Sequence, residues 1–175
     1  MFADPTHIIE QFELQSGAHV ADLGAGSGAL AFAAARAVGE AGRVYAIEVQ
    51  KELLERLKSH AREERLHNLE AIWGDIERAG GTHLKPETVD AVLVSNVLFQ
   101  AEDREGLAKE AARILKPRGK ALVVDWSESF GGMGPQPALV IAERAARELF
   151  LRHGFTFAKS ITAGAHHYGL IFKRS

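Results

Sequence analysis

Asp22-Leu23-Gly24-Ala25-Gly26-Ser27-Gly28 joins a short apolar strand, His19 to Leu23, to an alanine-rich helix that starts at Ala29 and runs to about Val38. A strand ending in Gly-x-Gly-x-Gly and opening a helix narrows the fold and the ligand together. Glycine turns where other residues strain, and it leaves no Cβ between the backbone and a ligand. The helix start adds unpaired N–H groups and the positive end of its dipole, which suit a carboxylate or a phosphate. Glu48 closes the next strand, 24 positions beyond Gly24, where a carboxylate can accept from both hydroxyls of a ribose. An ordinary tight turn needs no such acid. The combination points to a nucleoside-containing cofactor.

The rest of the chain repeats strand and helix, the pattern of a mostly parallel α/β sheet. A leading helix spans Pro5 to Leu14, with Ile8, Ile9 and Phe12 on one side. Strands follow at Arg43–Glu48, Leu69–Trp73, Val89–Val94 and Lys120–Asp125. Helices are expected at about Gln50–Arg65, Glu102–Leu115 and Ala138–His153, with a short helix or loop over residues 76 to 88. Lys116-Pro117-Arg118-Gly119 breaks the helix before it, and Gly131 to Pro137 forms a turn-rich loop. Two last strands, Phe155–Ser160 and His166–Lys173, are separated by five residues, too few for a parallel crossover. With 175 residues, 46% of them hydrophobic, the expectation is one domain over 1–175.

Composition removes whole classes of function. The chain has no cysteine, so disulfides, Cys-ligated zinc, iron–sulfur clusters and thiol nucleophiles are excluded. A net charge of -2 disfavours a nucleic-acid partner, which is normally met by a concentrated basic surface. No apolar run approaches the length of a membrane span, and the first residues lack the basic and apolar regions of a secretory signal. A cytoplasmic location is therefore expected.

Gly24-x-Gly26-x-x-Ala29 also fits the dinucleotide fingerprint, so the cofactor needs further evidence. Asp22 precedes the glycines; a carboxylate facing a pyrophosphate is unfavourable, whereas an amino group welcomes it. Gly74-Asp75 ends the third strand, where an acceptor for an adenine amine belongs. The closing antiparallel pair leaves little sequence for a separate substrate domain.

Val20 to Gly28 resembles motif I of the class I S-adenosylmethionine-dependent methyltransferases. Glu48, Gly74-Asp75-Ile76 and Ser95-Asn96-Val97-Leu98 resemble the later cofactor motifs, and Ala112 to Gly119 the helix and turn before strand five. The resemblance covers the chain from residue 17 onward. It implies a Rossmann-like sheet of order 3-2-1-4-5-7-6 with strand 7 antiparallel and helices on both faces. It also implies that Asp22, Gly24, Ala25, Gly26, Ser27 and Gly28 hold the methionine moiety and Glu48 the ribose. Gly74, Asp75 and Ile76 would then hold the adenine, and Ser95 and Asn96 the floor beside the sulfonium. Within the family, Asp125-Trp126-Ser127 and the Lys-Pro-x-Gly turn resemble the quinone-biosynthesis and arsenite enzymes. Arsenite methylation needs cysteines, which this chain lacks. About sixteen residues precede the first strand, fewer than in larger relatives. The active site is thus expected to be open, completed by a second subunit as a homodimer, or covered by residues 128 to 137.

Methyl transfer is an in-line displacement at an activated carbon, and it needs alignment and exclusion of water more than a catalytic constellation. Ser95-Asn96-Val97-Leu98 lacks the Asn/Asp-Pro-Pro-aromatic stretch of base N-methyltransferases, which again disfavours nucleic acid and favours a small-molecule acceptor. Asp125, at the end of strand five, and His166, His167 and Tyr168, at the start of an opposed strand, are expected at the same sheet edge as catalytic candidates. The alternative is that they merely tie two strand ends together. A metal is not expected there, because adjacent strand residues point to opposite faces. Phe99 is a packing residue or borders the substrate. Three functions remain: a small-molecule methyltransferase, a nicotinamide oxidoreductase, and a non-catalytic cofactor-binding protein.

Overall fold

A computed structural model describes residues 4–175. Its centre is a seven-stranded sheet of β1 (His19–Leu23), β2 (Arg43–Glu48), β3 (Leu69–Trp73), β4 (Val89–Ser95), β5 (Leu115–Trp126), β6 (Phe155–Thr162) and β7 (His167–Arg174). The order is β3-β2-β1-β4-β5-β7-β6. β1 to β5 run parallel, and β7 lies antiparallel between β5 and β6. The helices are α1 (Pro5–Phe12), α2 (Ala29–Val38), α3 (Lys51–Glu63), α4 (Arg104–Ile114) and α5 (Glu143–Arg152).

Strand periodicity sorts the core into two layers. Val20, Leu93, Leu122, Val124 and Ile171 pack with apolar residues of α1, α2 and α3. Their neighbours Ala21, Leu23, Val92, Val94, Val123 and Leu170 face the opposite way, against α4 and α5. Small side chains let α2 sit close to the sheet: Ala31, Ala34 and Ala35 are fully or almost fully buried.

Several boundaries depart from the sequence reading. Leu115 already pairs with Val89, and Lys116 to Gly119 bulge out before pairing resumes at Lys120 with Ala91. Arg118 takes a left-handed φ of 64° in that bulge, so the Pro-Arg-Gly turn interrupts β5 rather than preceding it. α5 starts at Glu143 because Pro137–Leu139 closes a separate 3-10 turn. The final hairpin connection is tighter, with β6 reaching Thr162 and β7 starting at His167. Residues 76 to 88 form turns and no helix. They are fastened from α4, where buried Glu110 accepts from the N–H groups of Gly80 and Thr82 and from the Thr82 hydroxyl, and pairs with Arg113.

Candidate cofactor and acceptor site

The parallel strands end together at one edge of the sheet, and there a cavity of about 620 Å³ opens. The glycine loop forms one wall. Gly24 and Ala25 donate to the Ile47 carbonyl, which holds the turn against β2. Gly24, Gly26 and Gly28 all have positive φ, at 76°, 56° and 87°. Their missing side chains serve different ends. A Cβ on Gly28 would lie 2.3 Å from Leu57 Cδ2, and Gly28 does not line the cavity; its smallness seats α2 on α3. A Cβ on Gly26 would meet no protein atom within 4 Å, so the space beside it is open.

Two buried acids face this wall. Glu48 is 5% exposed; its Oε2 accepts from Gly26 N at 2.9 Å and its Oε1 from Gln50 N at 2.9 Å. Each oxygen keeps a lone pair for a ligand hydroxyl. Asp22 is 2% exposed and lies under the first turn of α2. Burial, and then the charge of Glu48, pushes its carboxyl up to about 7, against the pull of the Ala31 N–H. An acid held this way, with no cation on it among the described residues, suits a cationic ligand group.

The next wall is the turn after β3. Asp75 Oδ1 accepts from Glu77 N at 3.0 Å, and its Oδ2 lies 3.1 Å from Arg78 Nε. Ile76 is buried beneath it, and a Cβ on Gly74 would strike the Gly81 carbonyl at 2.3 Å. Ser95 and Asn96 form the floor, and Asn96 takes a left-handed φ of 55°. Asp22, Gly24, Ala25, Gly26, Ser27, Glu48, Gly74, Asp75, Ile76, Ser95 and Asn96 thus all line one cavity.

The far end is made by Phe99, Gln100, Trp126 and Gly134. The register separates Asp125 from this end. Asp125 and Trp126 point to opposite faces, and it is Trp126 that reaches the cavity. Asp125 turns into the α4–α5 layer, where it is 0% exposed and accepts from Leu98 N at 2.9 Å and Trp126 N at 2.8 Å. Burial pushes its carboxyl up, against those bonds and others from Phe99 and Val97. It fastens the turn after β4 instead of touching the cavity. Tyr168, paired with Asp125 across the strands, is buried beside it, and its hydroxyl has no hydrogen-bond partner among the described residues. Burial and the Asp125 charge push the phenol far up.

His166 Nδ1 lies 2.9 Å from Glu128 Oε1 and its ring stacks on Phe130, so it braces the 127–134 loop. His167 faces Trp126 across the strand pair, with ring centroids 4.3 Å apart, and its Nε2 lies 3.0 Å from Asn96 Oδ1. None of Asp125, His166, His167 and Tyr168 lines the cavity itself. Trp126, Gln100 and Gly134 were absent from the sequence candidates. Trp126 carried a usable signal, its place at the end of a parallel strand, whereas Gly134 entered only as part of the 128–137 segment expected as a cover. Its φ of 78° and its seat on the Trp126 ring exist only once the loop is folded. Among the described residues, no group of three or more His, Asp or Glu is placed to hold a metal. No helix there is long and apolar enough to cross a membrane.

The sheet order, the glycine turn under α2 and the acid at the end of β2 together define the class I methyltransferase architecture. A family model described as "Methyltransferase domain" matches residues 14–160, and the chain belongs to that family of S-adenosylmethionine-dependent methyltransferases. The chain is 28% identical over 151 residues to a demethylmenaquinone methyltransferase of Lactococcus lactis, covering 83% of this chain and 55% of that protein. It is 30% identical over 116 residues to an arsenite methyltransferase of Aquipseudomonas alcaligenes, covering 64% and 34%. The chain therefore spans between a third and just over half of these relatives. A solved structure described as a SAM dependent methyltransferase from Aquifex aeolicus superposes with a TM-score of 0.90 at 24% identity, over 99% of this chain and 91% of that one.

Proposed function

We propose that this chain transfers the methyl group of S-adenosylmethionine to a small, flat, uncharged organic acceptor. The observation that carries the reading is the division of one cavity into two chemistries. Asp22, Glu48, Asp75 and Glu77 stand along the end formed by β1 to β3, while Ser95, Asn96, Phe99, Gln100, Trp126 and Gly134 make the other end, which among the described residues has no ionisable side chain. The acid end suits a cofactor with a cationic amino acid tail, a ribose and an adenine. Asp22 takes the tail, Glu48 the ribose hydroxyls, and Asp75 with Ile76 the base. When bound, the cofactor supplies a methyl group already activated by a sulfonium.

The far end aligns the acceptor between Phe99 and Trp126 and keeps water away. Because no base among the described residues lines it, the acceptor presents a nucleophile that needs no deprotonation by a side chain. The aromatic lining accords with the ring substrate in the name of the quinone-pathway relative. The absence of cysteine argues against the arsenic substrate named for the other.

Calorimetry with S-adenosylhomocysteine and with NAD, followed by a screen of small-molecule extracts with methyl-labelled cofactor, tests the reading. Binding of S-adenosylhomocysteine and label appearing in one compound is the expected result. Binding without turnover would leave a cofactor-binding protein. Preference for NAD would leave a nicotinamide enzyme.

A further inference from the structure

Asn96 sits where the two ends of the cavity meet, and most of its hydrogen-bonding capacity is already used. Its backbone N–H donates to Val124 O at 2.8 Å, and its carbonyl accepts from Gln100 Nε2 at 2.9 Å. Its Oδ1 contacts His167 Nε2 at 3.0 Å. A carboxamide oxygen can only accept, so in this orientation the contact requires the His167 proton on Nε2, and the ring tautomer and the amide orientation set one another. Burial, and then neighbouring His166, push the imidazole down and favour the neutral ring, which carries a single proton. Among the described residues the Asn96 Nδ2 group has no protein partner, and Asn96 lines the cavity. The backbone of Asn96 is left-handed, with a φ of 55°, a conformation that asparagine adopts more readily than most residues.

We propose that His167 is a positioning residue: it turns the Asn96 carboxamide so that its NH2 group, and not its oxygen, meets the methyl acceptor. The site then selects an acceptor carrying a carbonyl or other hydrogen-bond-accepting atom near the reacting centre, and disfavours one that offers an N–H. The tilted ring contact with Trp126 holds His167 in place, so one strand-end residue touches both the aromatic wall and the floor. The inference rests on the methyltransferase reading for what occupies the cavity, but not for the orientation of the amide.

Two measurements test it. Two-bond proton–nitrogen correlation of the histidine rings in the ligand-free chain is expected to find the His167 proton on Nε2. A proton on Nδ1 would turn the amide round and overturn the proposal. In the chain saturated with S-adenosylhomocysteine, acetophenone, which only accepts, is titrated against N-methylaniline, which donates. Acetophenone is expected to bind about 2- to 10-fold more tightly, the scale of one neutral hydrogen bond, and to shift the Asn96 amide resonances. The preference should vanish in His167→Phe, which keeps a ring on Trp126, and return in His167→Gln, which restores a donor. An equal preference in His167→Phe, or Asn96 resonances that neither probe moves, would overturn the proposal. Failure to bind S-adenosylhomocysteine would count against the methyltransferase reading, while the ring proton still decides the role of His167.

Discussion

Asp22 and Glu110 are both almost fully buried acids, and the protein treats them in opposite ways. Burial pushes Glu110 up, but Arg113, the Thr82 hydroxyl and the N–H groups of Gly80 and Thr82 outweigh it and bring the carboxyl down to about 2. Asp22 receives the Ala31 N–H and a second negative charge from Glu48, and rises to about 7. One acid is completed by the fold; the other is left for something the fold does not contain. Gly28 and Gly26 repeat the contrast in shape, one space filled by Leu57 and the other left open.

The largest expected effect is on the completed acid. Arg113→Met leaves Glu110 buried and unpaired and should cost about 3–5 kcal/mol in urea unfolding. A loss below about 1 kcal/mol would show that the two acids do not differ as argued. Next, Gly26→Val puts a side chain in the open space. Its affinity for S-adenosylhomocysteine should fall by at least about 100-fold, about 3 kcal/mol, while the chain stays folded despite a strained backbone. Calorimetry returning wild-type affinity would move the ligand away from the glycine loop.

The third test uses pH. An acid raised from its ordinary value holds a proton in the folded state between about pH 4 and 7 that the unfolded chain has lost. Asp22 therefore lowers the stability of the ligand-free protein as pH climbs through that window. Asp22→Asn should gain on the order of 2 kcal/mol at pH 8 and almost nothing at pH 4. In the wild type a cationic ligand favours the ionised acid, so affinity should decline below pH 7, with proton release visible as heat that depends on the buffer. Glu110 acts oppositely: its contribution is present above its unfolded value near 4.5 and is lost as pH falls towards 2. A pH-independent gain in Asp22→Asn would dissolve the comparison. Comparable in size is Glu48→Ala, expected to weaken S-adenosylhomocysteine by about 1.5–3 kcal/mol. Unchanged affinity in a folded variant would reduce Glu48 to a fastener of the loop.

The acid-rich end was legible in the sequence because its parts are local. Gly24 to Gly28 is one continuous turn, Glu48 closes β2, Asp75 follows the end of β3 by two residues, and β1, β2, β3 and α2 have the bounds that periodicity assigns them. The acceptor end was less legible because it depends on parity and on contacts between distant segments. Asp125 and Trp126 both end β5, and nothing local says which of them faces the cavity. The register with β7 decides, by pairing Asp125 with Tyr168 and Trp126 with His167. The Lys116–Gly119 bulge was hidden for the same reason, since only the partner strand reveals that Leu115 already belongs to the sheet.

The fastening of residues 76 to 84 to α4 bears on how the cavity is walled. Glu110 and Arg113 grip this turn from the end of α4, Glu77 accepts from Asp103 N at its start, and Gly106 lies so close that a Cβ would sit 2.2 Å from the Glu77 carbonyl. The segment just before α4 carries Asn96 to Ala101, itself held by Asp125. Two adjoining rims are thus welded into one block. Opposite them, Phe130 to Gly134 is a glycine-rich hairpin closed by one bridge, with Phe130 and Met133 facing solvent. That hairpin meets the cavity where Gly134 lies against the Trp126 ring, so a Cβ at residue 134, only 2.7 Å from Trp126 Cε3, would press on the wall that the ring forms.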